Sequence, residues 1–267
     1  MSTTDAINYL TDTLYDKLDN TKPVAAIFLD LRKAFDLIDH DILLYKMKKI
    51  GIRGLANQYF KKYFTNRRQI VKINNLFSKE EKMLCGVPQG SVLGPLFFLI
   101  YINEMLELFS DDIIAFADDT TVICNGDTWA EAENDANHKI SVINNWLTMS
   151  KLILNTKKTE FITFSIYNNK QPDSFKIILN GTELNKVNVT KFLGIYIDSD
   201  LRWNNHIYKI VKKTYYVIYI IKKLINIFNF QQVLAAYYAL IQSVISYGII
   251  GWGSACETHR KVLVKCT

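Results

Sequence analysis

The chain has little cysteine, little proline and, over its closing stretch, almost no acid. Its four cysteines (Cys85, Cys124, Cys256, Cys266) are scattered and form no CxxC pair. That excludes a disulfide framework. With no signal peptide at the start, it predicts a reducing, intracellular compartment, nucleus or cytoplasm. Four prolines, no repeat period and no low-complexity tract leave no obvious linker. Charge is also missing from residues 224–256, a stretch long enough to span a bilayer. Asn226, Asn229, Gln231, Gln232, Gln242, Ser243 and Ser246 interrupt it, and the longest part free of such side chains, 233–241, is too short to cross. Buried helices are expected there, not a membrane span.

What is present is apolar and aromatic. Of 267 residues, 49% are hydrophobic, 13% aromatic and 22% charged, which excludes disorder and allows one large domain or several packed subdomains. The net charge of +6 is uneven: residues 206–267 carry +7, with Glu257 their only acid, and the first 205 carry −1. A basic arm beside an acidic-centred body suits a polyanionic partner held near a metal site, although a solvated helix face explains the charge equally well.

Residues 2–20 have helical spacing, with Ser2 or Thr3 as capping candidates. The continuous apolar run 24–29 after Pro23 predicts a buried strand ending at Asp30. A helix is expected from Phe35 through Ile38, Ile42, Met47 and Ile50, stopped by Gly51, with Asp36, Asp39 and Asp41 capping or solvating it. The aromatic and basic residues at 59–68 suit either nucleic-acid stacking or a core. Strands are expected at 69–73 and 82–85 about the Asn74-Asn75 turn, a helix at 96–109, and a strand pair at 113–124 bent at Asp118-Asp119. An amphipathic helix at 128–150, strands at 160–166, 175–179 and 191–197, and helices from Trp203 to about Tyr247 complete the pattern. This order predicts an α/β layer, a sheet covered by helices on one face.

The carboxylates carry the chemistry. Strand side chains alternate, so one of the adjacent pair Asp118-Asp119 is expected to face the apolar side, where a lone charge is costly. Asp30 closes another apolar strand 88 residues earlier than Asp118. If these strands are neighbours, three carboxylates converge at one end and repel one another unless cations occupy the cluster. Such oxygen ligands suit Mg²⁺, and two such ions about 4 Å apart serve in-line phosphoryl displacement. The loop GVPQGSVLGP (86–95) places Gln89 and Ser91 among glycines and prolines just before an apolar helix. Glycine lets a backbone approach a substrate closely, and a helix start favours anions. The set CETH (256–259) with Cys266 falls short of a zinc site.

FLDLRKAFD (28–36), GVPQGSVLGP, AFADDT (115–120), LNTKKTE (154–160) and KFLGIYID (191–198) occur in the order of the five reverse transcriptase motifs A to E. Across 2–253 the chain resembles the polymerase domain of non-LTR retrotransposons of the jockey-like type. The resemblance implies a right-hand polymerase: a palm (23–50 and 85–202), partial fingers (a residual helix at 1–22 and an insertion at 51–84) and a helical thumb (203–267). It implies RNA-directed DNA synthesis, with Asp30, Asp118 and Asp119 as catalytic ligands of two Mg²⁺ ions, Mn²⁺ being able to replace them. Leu31, Phe35, Gln89 and Gly90 match nucleotide-binding positions, Phe35 as the aromatic gate that excludes a ribose 2′-hydroxyl. Lys158, in N-x-x-K-T with Asn155, matches the residue proposed to protonate pyrophosphate, and Phe192, Leu193 and Gly194 match the primer grip. RNA template, DNA primer, dNTPs and other chains or domains of the element are the implied partners, with no membrane.

Ahead of the S-T-x-x-A pattern matched by Ser2–Ala6, relatives of this kind carry a further fingers segment with basic residues, and the sequence shows none, nor an endonuclease, zinc knuckle or RNase H region. Two expectations therefore stand beside each other: an active polymerase, and a truncated, catalytically silent nucleic-acid-binding fragment. A membrane-associated helical protein is a third, resting on 224–256 alone.

Overall fold

The computed structural model describes residues 2–19, 22–65, 67–164, 174–255 and 261. Helix α1 (Thr3–Asp19) precedes strand β1 (Val24–Leu29), and α2 (His40–Lys49) and α3 (Gly54–Thr65) follow. Strands β2 (Arg68–Gln69), β3 (Lys72–Ile73), β4 (Leu76–Phe77) and β5 (Glu81–Lys82) form a nested projection, β2 pairing with β5 and β3 with β4. Helix α4 (Leu93–Leu106) runs on into one 3₁₀ turn (Glu107–Phe109). Hairpin β6 (Ile113–Phe116) and β7 (Asp119–Asn125), helix α5 (Trp129–Met149) and strand β8 (Glu160–Phe164) come next. Short strands β9 (Ile178–Leu179), β10 (Thr182–Glu183) and β11 (Asn185–Lys186) lead to the hairpin β12 (Val189–Phe192) and β13 (Ile195–Asp198). The chain then turns helical: α6 (Asn204–Leu224), α7 (Phe230–Tyr237), a π turn (Tyr238–Gln242), α8 (Ser243–Ser246) and α9 (Ile249–Trp252).

The main sheet has the order β11-β8-β1-β7-β6, antiparallel except where β11 meets β8. β1 is central, and all six of its residues are buried. Their alternation splits them between two cores. Ala25, Ile27 and Leu29 join Leu43 and Met47 of α2, Phe97, Phe98 and Tyr101 of α4, and Ile140 and Ile143 of α5. Val24, Ala26 and Phe28 join Ile7, Leu10 and Leu14 of α1, Phe192 and Ile195 of the β12–β13 hairpin, and Ile207 and Ile210 of α6. Cover on one face, as the element order suggested, is therefore corrected to cover on both. A strand with no polar alternation needs apolar partners on each side.

Several boundaries also move. The helix expected from Phe35 begins at His40, because residues 32–36 turn through Lys33 (φ 46°) and the Asp39 carboxylate accepts from the amides of Asp41 and Ile42 as the N-cap. Gly51, at φ 98°, ends it as expected. The apolar helix starts at Leu93, three residues early, since the Ser91 hydroxyl accepts from the Gly94 amide and so caps its first turn. The strand expected at 191–197 is two strands, broken at Leu193 and Gly194 (φ 44° and 92°). At 175–179 only Ile178 and Leu179 pair. Residues 165–166 of the expected strand, and the cysteine–histidine set at 256–259 with Cys266, lie outside the described residues. Among the described residues no helix is long and apolar enough to cross a membrane.

Candidate active site

The sheet places the carboxylates at one edge. Leu29 of β1 pairs with Thr120 of β7, so the next residues out, Asp30 and Asp119, lie opposite each other where the ladder ends. Phe116 pairs with Asp119, leaving Ala117 and Asp118 as a two-residue turn with Ala117 at φ 53°. Asp30 is half-buried, while Asp118 and Asp119 are both exposed. The expectation that one of the pair faces the apolar side is corrected, because the bend falls where the core has ended and burial resumes only at Thr120. Partial loss of hydration, then the charges of Asp118 and Asp30, push the Asp119 carboxyl above its ordinary value, with Lys191 pulling it down. Hard oxygen donors gathered at one sheet edge, two of them raising the proton affinity of Asp119, suit a divalent cation. As the side chains stand, no group of three His, Cys, Asp or Glu among the described residues closes tightly enough to hold a metal ion.

Asp30 is held from behind by the chain that follows α5. Leu31 bridges to Leu154, the Arg32 amide donates to the Ile153 carbonyl (2.9 Å), and the Asn155 amide donates to the Asp30 carbonyl (2.8 Å). A cavity of about 640 Å³ opens beside it, lined by Asp30, Leu31, Arg32, Lys33, Lys157 and Lys158. Lys158 sits exposed in a turn over 156–158. Four cations around a carboxylate make this a concavity that attracts anions.

On the other flank, Phe35 stacks on Phe98 of α4 (centroids 4.8 Å, planes 29° apart). It lines a cavity of about 370 Å³ with Pro95, Phe98, Ala115, Phe116 and Ala117, the residues leading into Asp118. The 86–95 loop is bound to the same segment. The Gly86 amide donates to Ile38 O (2.7 Å) and the Val87 amide to Phe35 O (2.9 Å). A Cβ on Gly86 would lie 2.8 Å from Asp36 O at φ 85°, so only glycine fits. Gln89 is exposed and its amide donates to Asp36 Oδ1 (3.1 Å); Gly90 follows, exposed, with open space around its Cα.

The β12–β13 hairpin approaches from the second core. Phe192 is buried against Phe28, the Leu193 carbonyl accepts from the Tyr247 hydroxyl (2.6 Å), and Gly194 makes the turn. Between this hairpin and α6 is a cavity of about 440 Å³ lined by Lys191, His206, Lys209, Lys213 and Tyr247. Burial pushes His206 down to about 4. The aromatic patch at 59–68 divides: Phe60, Tyr63 and Phe64 pack around Phe97 as core, and Tyr59, Lys61 and Lys62 remain exposed.

Asp30, Leu31 and Lys158 thus share one cavity, and Phe35 lines another with Ala117, the residue before Asp118. Phe192, Leu193 and Gly194 belong to the neighbouring hairpin. Arg32, Lys33 and Lys157, in turns, and Lys191, in β12, were not singled out from sequence; a basic side chain gives no local sign of the cavity it lines. Thr159, whose hydroxyl accepts from the Asp30 amide (3.3 Å), was equally silent.

Residues 3–197 match the protein family described as reverse transcriptase (RNA-dependent DNA polymerase), a family that generally uses divalent metal ions. The probable RNA-directed DNA polymerase from transposon BS of Drosophila melanogaster is 26% identical over 272 residues, covering 97% of this chain and 30% of that protein. The RNA-directed DNA polymerase from the mobile element jockey of the same fly is 26% identical over 213 residues, covering 77% and 23%. The chain therefore spans less than a third of these relatives. Among solved structures, telomerase from Candida albicans with a fragment of telomeric RNA superposes with a TM-score of 0.52 at 14% identity, over 100% of this chain and 51% of that one. Telomerase from Candida tropicalis gives 0.53 at 14%, over 99% and 49%. These are likenesses of fold.

Proposed function

The chain belongs to the reverse transcriptase family, and from that premise we propose that it copies RNA into DNA as the polymerase core of a non-LTR retrotransposon. The observation that carries this is the pairing of Leu29 with Thr120, which sets Asp30 opposite Asp119 beside the Asp118 turn. The reaction is attack of a primer 3′-hydroxyl on the α-phosphate of a dNTP, with pyrophosphate leaving. Asp30, Asp118 and Asp119 would hold Mg²⁺, or Mn²⁺ in its stead, as two ions supplying charge stabilisation to the attacking and leaving oxygens.

The other residues bind and orient. Arg32, Lys33 and Lys157 attract the triphosphate into the cavity beside Asp30, and Lys158 delivers a proton to the departing pyrophosphate. Leu31, through its backbone, and Phe35 border the sugar, Phe35 occupying the space a 2′-hydroxyl needs. Gln89 and Gly90 meet the incoming nucleotide and template. Phe192, Leu193 and Gly194 carry the primer end, and the thumb lysines follow backbone phosphates. The division proposed is palm 23–50 and 85–202, fingers 1–22 and 51–84, and thumb 203–267. Within it α1 rests on the second face of the palm sheet. RNA template, DNA primer and dNTPs are the partners, with other domains of the element beside them.

Primer extension on an RNA template with Mg²⁺ and dNTPs tests this against an Asp118→Ala control. Extension that disappears in the control is expected. Absence of extension, with heteroduplex binding equal in both proteins, would overturn it in favour of a silent binding fragment.

A further inference from the structure

Asp30 is held at three of its polar groups by one short turn. The Asn155 amide donates to its carbonyl at 2.8 Å, the Asn155 side-chain amide donates to its Oδ2 at 2.7 Å, and its own amide donates to the Thr159 hydroxyl at 3.3 Å. The turn is closed on itself, because the amides of Lys158 and Thr159 both donate to the Asn155 carbonyl (3.0 and 2.8 Å). Thr159 is fully buried, which gives the turn a fixed anchor, while Lys157 and Lys158 between the two are exposed. Asn155 and Asp30 lie 125 residues apart.

From this geometry we propose that Asn155, anchored through Thr159, is a positioning residue for Asp30. Its amide engages Oδ2, fixes the carboxylate plane and leaves Oδ1 directed away from the clamp as the donor for a divalent cation. The same turn carries Lys157 and Lys158, so one five-residue segment sets both the carboxylate and two of the four cations around it. A donor amide on one oxygen also offsets part of the repulsion that three neighbouring carboxylates impose. Such outer partners typically change metal affinity by about 10–100-fold when removed. The assignment rests on the proposed metal role of Asp30.

The test compares Asn155→Ala with Asn155→Leu, which keeps much of the side-chain volume and removes the donor. Mn²⁺ binding to the full chain is followed by electron paramagnetic resonance, and the metal-free Asn155→Leu protein is solved crystallographically. Both variants are expected to weaken Mn²⁺ by about tenfold and to unfold thermally close to wild type, and the Asn155→Leu crystal is expected to show the Asp30 carboxylate rotated from its place. Thr159→Ser, which keeps the hydroxyl, is expected to retain wild-type affinity, and Thr159→Val to lose part of it. A role in packing alone would leave Asn155→Leu near wild type and Asn155→Ala impaired, and that result overturns the assignment. So does an unmoved Asp30 in the crystal. The metal reading fails separately: in that case wild type binds no Mn²⁺, or Asp30→Asn binds it as well as wild type, and the crystal structure alone then decides the clamp.

Discussion

Phe35 stacks on Phe98 and lines the cavity that ends at Ala117, so its ring is fixed from one side and open on the other. Shortening it enlarges the space next to the proposed sugar position without touching a carboxylate. Phe35→Val is expected to raise ribonucleotide incorporation by about 10- to 200-fold in kcat/KM, the range one small steric element supplies, with deoxynucleotide incorporation changed far less. Single-nucleotide extension with rNTP and dNTP in parallel measures it. His206 makes a second prediction. It is 5% exposed, packed against Trp203 and Trp252, and burial depresses it to about 4. The folded state therefore binds fewer protons than the unfolded one between that value and the ordinary 6.5. Its contribution is present above about 6.5 and is lost as pH falls toward 4, by at most about 3 kcal/mol. Urea unfolding at pH 7 and pH 4.5 is expected to show a smaller acid loss in His206→Phe than in wild type. Equal losses would show that the buried ring does not set acid stability.

Elements are tied by a few buried charges. Lys139 of α5, 5% exposed, donates to Asp112 Oδ2 (2.8 Å), to Asp135 Oδ2 (2.7 Å) and to the Ile123 carbonyl of β7, while Lys17 of α1 pairs with Asp112 Oδ1 (2.9 Å). This cluster joins α1, the turn before β6, β7 and α5 at the sheet edge opposite the candidate site. Desolvation opposes the charge on Asp112, and Lys139 and Lys17 nevertheless hold its carboxyl below the ordinary range. Removing the lysine leaves half-buried carboxylates without their main partner, so Lys139→Ala is expected to cost about 3–5 kcal/mol in chemical denaturation. Restoring most of that loss with Lys139→Met would instead assign the effect to packing. Near the site, Tyr101 of α4 plays a comparable part: its hydroxyl accepts from the Asp39 amide (3.3 Å) and donates to the Ser150 carbonyl (2.7 Å), joining the start of α2 to the end of α5.

At the scale of the whole molecule, charge and shape point the same way. Helix α6 carries Lys209, Lys212, Lys213, Lys222 and Lys223 with no acid, and its outward residues include Tyr208, Tyr215, Tyr216 and Tyr219. Lysines neutralise phosphates and exposed tyrosines offer stacking faces, so the helix suits a nucleic-acid strand. Binding of an RNA–DNA duplex is expected to weaken linearly in log salt. Replacing Lys212 and Lys223 by Gln should flatten that slope by about one unit for each phosphate that a lysine no longer neutralises. Filter binding from low to moderate salt measures it, and an unchanged slope would remove α6 from the interface.

Local patterns in the chain sufficed for β1, whose unbroken VAAIFL run is buried throughout, and for Gly51, whose left-handed backbone ends α2. They also sufficed for the ordered motifs that identify the family, since residue type and spacing are properties of the chain itself. Other features needed the tertiary structure. A hydrophobic period says that a face is buried and not what buries it, so the second cover by α1, α6 and the β12–β13 hairpin was not legible. Nor was the division of the 59–68 patch, settled by where Phe97 arrives from α4. The hydrogen bond from Asn155 to Asp30 and the approach of Lys191 to Asp119 depend on strand order across more than seventy residues. Sequence determined which groups this protein has for its chemistry, because composition and local geometry are encoded residue by residue. Only the folded sheet decided which of them meet, because such pairs are set by strand neighbours and register, and no short stretch contains both partners.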